Sequence, residues 1–305
     1  MKKQLLIAGG TGLIGSAICK EAVKQGWEVV ILSRRSLPGG ISWNPEKSEI
    51  DISSPRSFDA IINLAGSSIA GGRWTTARIK EIHDSRVNAC NTIEKYLAKG
   101  LLQTQVYIGS SAIGIYGDHG QNVIDEKSHL GEDSDWMVST GKAWEEAHFR
   151  IATLGIRTII LRTGIVLSQQ GGALKEILMT APLGIIGYFG NGKQFWSWIH
   201  MDDLVAIIFK AITDEKMSGL YLAAAPEGVT NKDVSHAVGR ALHPKRLVIP
   251  VPVFLLMVLL GKMRRMLLQS CKGYPTRLLA EGFSFRYPMV KEALKDLIGS
   301  EKFKL

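Results

Sequence analysis

Short apolar runs alternate with helical spacing through the first half of the chain. Residues 4–10, QLLIAGG, read as a buried strand that breaks into glycines, and residues 13–26, LIGSAICKEAVKQG, place apolar positions at helical spacing and stop at Gly26. The alternation continues with strands at WEVVILSRR (27–35) and DAIINLAG (59–66), a long helix over 77–100, a strand at QVYIGSSA (105–112), a helix at GKAWEEAHFRIATLG (141–155) and a strand at RTIILRTGIVLS (157–168). Strands rich in Ile, Leu and Val, each followed by a helix, predict βαβ units and a parallel sheet covered on both faces.

After Ser168 the pattern changes to a glycine-rich stretch with clustered aromatics, QQGGALKEILMTAPLGIIGYFGNGKQFWSWIH. A helix over 201–213, a strand over 219–225, a helix over 230–242 capped by Thr230 or Asn231, and a last helix over 289–298 follow. The apolar run 247–260 carries Pro250 and Pro252 and falls short of the roughly 20 residues a span requires. It reads as a buried strand-turn-helix with no stable membrane insertion. A peripheral contact helped by Lys262, Arg264 and Arg265 is the lesser alternative.

The formal net charge of +9 admits nucleic acid, a membrane surface or an anionic ligand. The basic residues are scattered in doublets such as Arg34-Arg35 and Arg264-Arg265, without aromatic interleaving, which argues against nucleic acid and for a small-molecule partner. Three well-separated cysteines, Cys19, Cys90 and Cys271, form neither a disulfide framework nor a metal site and fit a reducing compartment. The N-terminal MKKQLLIAGG begins like an export signal, but its short apolar run meets glycine, so a strand and a cytoplasmic location are expected. A homodimer stays open.

The glycines of GGTGLIG carry candidate chemistry. Gly9, Gly12 and Gly15 follow a strand and open a helix at the start of a βαβ series. In that context the first allows a tight turn, the second admits a pyrophosphate to the backbone, and the third lets helix and strand pack. Leu13, Ile14 and Gly15 then offer helix N-terminal N–H groups to phosphate. The next strand ends in Ser33-Arg34-Arg35 with no acidic residue, and an arginine fork with a serine hydroxyl favours NADP(H) over NAD(H). In NLAG, Leu64, Ala65 and Gly66 are expected to lie along the cofactor.

The chain resembles the extended short-chain dehydrogenase/reductase superfamily, epimerase/dehydratase branch, in GGTGLIG, NLAG, GSSAIGIYGD, LRTGIVL and WIHMDDL. More narrowly, SRR, DSRV (84–87), GNGKQFWSWIHMDDL, AAPEGVTNKD and PTRLLAEGFSFRYPMVKEAL resemble the atypical "epimerase family protein" group of sugar-nucleotide epimerase-like proteins. The resemblance implies an α/β fold: a Rossmann-like parallel sheet with helices on both faces over 1–170, which binds NADP(H), and a smaller mixed α/β C-terminal substrate region over 171–305, with 198–225 packing back on the first. In the superfamily a serine orients the substrate and a Tyr-x-x-x-Lys pair moves the proton and holds the nicotinamide ribose.

Carried over, Ser111 takes the serine place and Lys142 the lysine place, but Val138 stands where the tyrosine belongs. Tyr116 is the candidate substitute, with a packed loop residue as its plainer reading. Ser139 and Thr140 read as water-linked relays or helix caps. Arg86 either reaches the cofactor or pairs with Asp84 or Glu81, and Val166 lies near the nicotinamide or in plain core. His200 with Asp202 and Asp203 reads as a helix start. Lys193, Phe195, Trp196 and Trp198 read as a substrate lid or a buried seam. The function expected is an NADP(H)-dependent oxidoreductase or epimerase-like enzyme on a small polar substrate of the nucleotide-sugar kind. The alternative is a catalytically weak or inactive NADP(H)-binding sensor or interaction protein.

Overall fold

The strand Gln4–Ala8 (β1), with four of its residues buried, pairs in parallel with Glu28–Ser33 (β2) on one side and Ala60–Asn63 on the other. The computed structural model describes residues 2–242 and 246–299; Met1, 243–245 and 300–305, parts of the two expected regions, lie outside the described residues. The eight-stranded sheet runs in the order 219–223, 157–163, 106–112, 60–63, 4–8, 28–33, 41–44, 49–50. After β1 the chain moves outward through β2 and Ile41–Asn44, then returns to β1's other side, where Ala60–Asn63 pairs with Val106–Ala112 in parallel. That reversal puts the loops after β1 and after Asn63 side by side at a topological switch point, where doubly wound sheets bind ligands.

Helices Leu13–Lys24 (α1), Thr76–Ala98 (α2) and Trp136–Ala152 (α3) follow the first strands. The chain divides into two compact units. One comprises the residues up to Ser111, Ser139–Arg162 and Val205–Tyr221; the other comprises Ala112–Val138, Thr163–Leu204 and the residues from Leu222 onward. The core of the first includes Leu6, Val30, Leu32, Ile61, Ile93 and Tyr107. The core of the second gathers Leu174, Trp196, Trp198, Val234, Val238 and Leu294.

Several elements depart from their expected form. Helix α3 begins at Trp136, five residues before the expected start, because the Asp135 carboxylate accepts the N–H of Met137 (2.9 Å) and caps it. Ser139 and Thr140 therefore sit inside the helix and are not its caps. The run 157–168 is two strands, Arg157–Thr163 and Ile165–Leu167, broken at Gly164, whose missing side chain leaves room for the Ser197 carbonyl. Ile41–Asn44 and Glu49–Ile50 were not expected; each is too short for periodicity to register. The strand Leu247–Val251 and helix Val253–Leu260 form as expected, but neither is buried: no strand residue is fully covered, and in the helix only Leu256 is. The helix over 231–242 is capped by Thr230, whose hydroxyl accepts the N–H of Asp233 (3.2 Å) and donates to its carboxylate (2.6 Å).

Helix α3 is fixed to the sheet by a buried ion pair. Arg162 donates from Nε and Nη2 to the two carboxylate oxygens of Glu145 (2.8 and 2.7 Å), and the Ser111 hydroxyl donates to the same carboxylate (2.6 Å). Glu145 and Arg162 are each 5% exposed and Ser111 is 2% exposed. Removing one partner strands a charge out of water. We expect Arg162→Ala to lower unfolding free energy by about 3–5 kcal/mol in urea denaturation. The double change Glu145→Gln with Arg162→Met should recover much of it, and equal losses for both variants would refute this account.

Candidate functional site

The loop after β1 is shaped by glycines with distinct duties. Gly9 has φ +82°, and a Cβ there would lie 2.9 Å from the backbone of Leu64, so the two switch-point loops meet backbone to backbone. A Cβ on Gly15 would lie 2.2 Å from the Gly9 carbonyl, so α1 can approach the turn only with glycine there. Gly12 differs. It is exposed, and a Cβ would meet nothing nearer than the Gly9 carbonyl at 3.3 Å. Internal packing explains Gly9 and Gly15 and leaves Gly12 as open backbone. Gly12 also caps α1 without a side-chain hydrogen bond, and the first turn holds no acidic residue. A helix N-terminus in this condition attracts an anion, so the residues fit a dinucleotide pyrophosphate.

The second wall is held from below by a directed hydrogen-bond chain. Asn63 accepts the N–H of Ala65 (3.1 Å) and donates to the Tyr107 hydroxyl (3.0 Å). His148 Nε2 faces the carbonyl of Ser110 (3.0 Å), which only accepts, so the proton sits on Nε2. Nδ1 then accepts from the Tyr107 hydroxyl (2.8 Å). Burial holds the chain neutral: it depresses the His148 pKa to about 3, raises that of Tyr107, and pushes the neighbouring Cys90 thiol up to about 12. A Cβ on Gly109 would lie 2.5 Å from the His148 ring, so that glycine makes room for the imidazole. Sequence reading missed Tyr107 and His148; the apolar setting of a lone histidine was their only signal.

Arg86 lies beneath Gly66, where a Cβ would come within 3.1 Å of its side chain. It donates to the carbonyls of Ser67 (3.1 Å) and Ile82 (3.0 Å) and stands over the Trp144 ring at 4.9 Å. Asp84 and Glu81 pair instead with Lys80 and Arg78. Burial first, and repulsion from Arg78 second, lower the Arg86 pKa to about 10. A cation so placed gains from a bound anion. Beyond β2, Ser33 accepts the N–H of Arg35 (3.0 Å), forming a turn that leaves Arg34 exposed. Glu81 is held below the usual carboxylate range by hydrogen bonds from Arg78 and Ser67, with the Arg34 charge adding to them.

The expected catalytic residues are placed less openly. Ser111 commits its proton to Glu145, as described above. Lys142 is half-buried on α3, one turn after Val138 and one before Glu145. Tyr116 is 1% exposed and donates to the Asp125 carbonyl (2.7 Å). Val138 is fully buried and packs on Gly131 and Gly117. Within the second unit a cavity of about 640 Å³ is lined by Tyr116, His119, His129, Val138, Arg264 and Arg265, among others.

Val166 is half-buried and pairs with Ile199 in a short parallel ladder. Trp196 and Trp198 lie in the core and offer no stacking face, whereas Lys193 is exposed. His200 Nδ1 accepts the N–H of Asp202 (3.1 Å). Asp203 does more than start a helix: it accepts the N–H groups of Arg286 (2.7 Å) and Tyr287 (3.0 Å), anchoring the C-terminal segment.

A parallel sheet with a glycine-lined switch point and an uncapped helix N-terminus defines a Rossmann-like dinucleotide-binding fold. The chain belongs to the NAD dependent epimerase/dehydratase family, whose model matches residues 5–222; a domain of unknown function, DUF1731, matches 251–297. It is 31% identical over 304 residues to the epimerase family protein YfhF of Bacillus subtilis, covering 98% of this chain and 99% of that protein. A crystal structure of human epimerase family protein SDR39U1 with NADPH superposes with TM-score 0.89 at 32% identity, covering 98% and 100% of the two chains. The nucleoside-diphosphate sugar epimerase from Corynebacterium glutamicum superposes with TM-score 0.76 at 27% identity, covering 98% of this chain and 59% of that one. Among the described residues, no helix is long and apolar enough to cross a membrane.

The glycine assignments separate by experiment. Gly15→Ala forces a backbone clash and should destabilise by about 1–3 kcal/mol. Gly12→Ala, whose Cβ would press on the Gly9 carbonyl at 3.3 Å, should lower the urea midpoint less than Gly15→Ala does yet weaken NADPH binding at least tenfold by calorimetry; a stability loss as large as that of Gly15→Ala would show that Gly12 is structural.

His148 gives a pH dependence of defined sign. Its folded pKa, about 3, lies below the ordinary 6.5, so the unfolded chain takes up the proton first as pH falls. The corresponding stability is intact above about pH 6.5 and declines as pH drops toward 3. His148→Gln, which keeps one donor and one acceptor, should flatten that decline in denaturation profiles; an unchanged slope would refute the assignment.

Proposed function

We propose that the chain is an NADP(H)-binding oxidoreductase or epimerase-type enzyme acting on a small polar substrate of the nucleotide-sugar class. The observation that carries this reading is the open backbone of Gly12 at the uncapped start of α1, facing no side chain of its own protein. In this reading the N–H groups of Leu13, Ile14 and Gly15 hold the pyrophosphate. The backbone of Leu64, Ala65 and Gly66 lines the cofactor, and Arg86 supports that loop while supplying positive charge. Ser33 and Arg34 take the 2′-phosphate, Lys142 holds the nicotinamide ribose, and Val166 borders the ring. The NADPH in the human relative supports the cofactor choice, and the Corynebacterium protein's name supports the substrate class. When bound, the nicotinamide takes a hydride from a substrate carbon or returns one.

Within this reading Ser111 acts through Glu145, since its proton is already committed there. It positions the end of strand Val106–Ala112 and does not itself protonate substrate. Tyr116 enters proton transfer only by giving up its bond to the Asp125 carbonyl. A second reading, an NADP(H)-binding sensor without turnover, is favoured by Val138, which has no proton to move in the place where the superfamily keeps a tyrosine.

Calorimetry tests the cofactor assignment. NADPH should bind at least about tenfold more tightly than NADH, and Arg34→Ala should remove that difference, as expected for loss of a charge-assisted hydrogen bond. Equal affinities in the wild type would overturn the assignment. Turnover of nucleotide sugars that falls on Lys142→Ala favours the enzyme; tight NADPH binding without turnover on a broad panel favours the sensor.

A further inference from the structure

The helix Val253–Leu260 has the sequence VFLLMVLL, and its surface is almost wholly uncovered. Phe254 is 66% exposed, Val258 62%, Leu259 58% and Met257 51%, while Leu256 alone points into the protein. The preceding strand runs straight into this helix and also exposes Leu247 and Ile249. Single exposed apolar residues need no explanation, but a contiguous set marks a surface that leaves water in use. Eight helical residues rise about 12 Å, far short of a bilayer's hydrocarbon thickness, so the helix can lie in a membrane interface but not cross it.

Charge selects the occupant. From Arg246 to Ala280 the chain contains no Asp or Glu and six basic residues, Arg246, Lys262, Arg264, Arg265, Lys272 and Arg277. Lys262 and Arg265 follow the helix directly and are exposed. A two-fold contact with a second copy would bring these cations toward their own like-charged counterparts, which disfavours it. An anionic lipid surface meets both features: the acyl boundary takes the apolar side chains and the headgroups take the cations. We infer that the helix Val253–Leu260, with Lys262 and Arg265 at its end, docks the protein reversibly on anionic membrane surfaces. The docking does not depend on the catalytic reading above, since none of these side chains is assigned to cofactor or substrate there.

The test is flotation of the full-length protein with phosphatidylcholine vesicles, with and without phosphatidylglycerol. The protein is expected to float with the anionic vesicles and to be released by added salt. Phe254→Asp combined with Val258→Asp should abolish flotation. Lys262→Ala combined with Arg265→Ala should weaken it roughly thirtyfold, from the usual contribution of a cation near an anionic surface. Circular dichroism and NADPH affinity check that the variants remain folded. Three results would each overturn the proposal: no flotation on anionic vesicles, equal flotation on both vesicle types, or flotation that survives the paired aspartates. A concentration-dependent dimer that the aspartates dissolve, without vesicle binding, would overturn it in favour of a second copy.

Discussion

The ion pair between Glu145 and Arg162 is the constraint on which the placement of helix α3 depends. Both groups are 5% exposed, so their attraction is largely offset by the cost of leaving water. The pair therefore supplies position more than stability. Two parallel bonds from one guanidinium fix the carboxylate in plane and direction, and Ser111 adds a third from a neighbouring strand. Val138, Lys142 and Glu145 recur at intervals of four and three residues, so they share one stripe of the helix. Where Glu145 is pinned, Lys142 is placed one turn before it.

Beside this charged anchor, on the same helix, stands a neutral one. The chain from Asn63 through Tyr107 and His148 to the Ser110 carbonyl contains no net charge and runs in a single donor direction. Each member depends on the tautomer of His148: moving its proton to Nδ1 would set two donors against each other at Tyr107 and leave the Ser110 carbonyl without its bond. Full burial enforces the neutral form, with the imidazole pKa held near 3. The loop at Leu64–Gly66 is thereby held by a device insensitive to pH near neutrality.

How much of this was legible in the sequence follows from the range of each interaction. The βαβ alternation, the packing duty of Gly15 and the start of the helix at Met201 rest on neighbours close in the chain and could be read directly, whereas the contact of Gly9 with the Leu64 backbone could not. Asp135 as the cap of α3 was missed because Ser139 and Thr140, equally good caps, lie in the same short stretch. Glu145 and Arg162 were passed over since their pairing joins a helix to a strand that no local pattern links. The apolar helix at 253–260 was read as buried, because hydropathy reports what a residue prefers and not whether the fold covers it. Sequence alone leaves Trp196 and Trp198 open between lid and seam, and only the packing of the second core places them in the interior.

Val138 bears most directly on what the site can do. Val138 is fully buried, and Gly131 packs so closely that even a methyl group added there would lie 2.8 Å from the valine side chain. Gly117, with φ +71°, closes on the same side chain. A phenol at 138 would need both backbone segments to retreat, so the surrounding structure is built around the smaller residue. Packing as well as chemistry thus sets this position apart from a tyrosine. The cavity that Val138 borders is also lined by His119 and His129. Any acid-base chemistry of the proposed enzyme therefore needs a side chain other than residue 138.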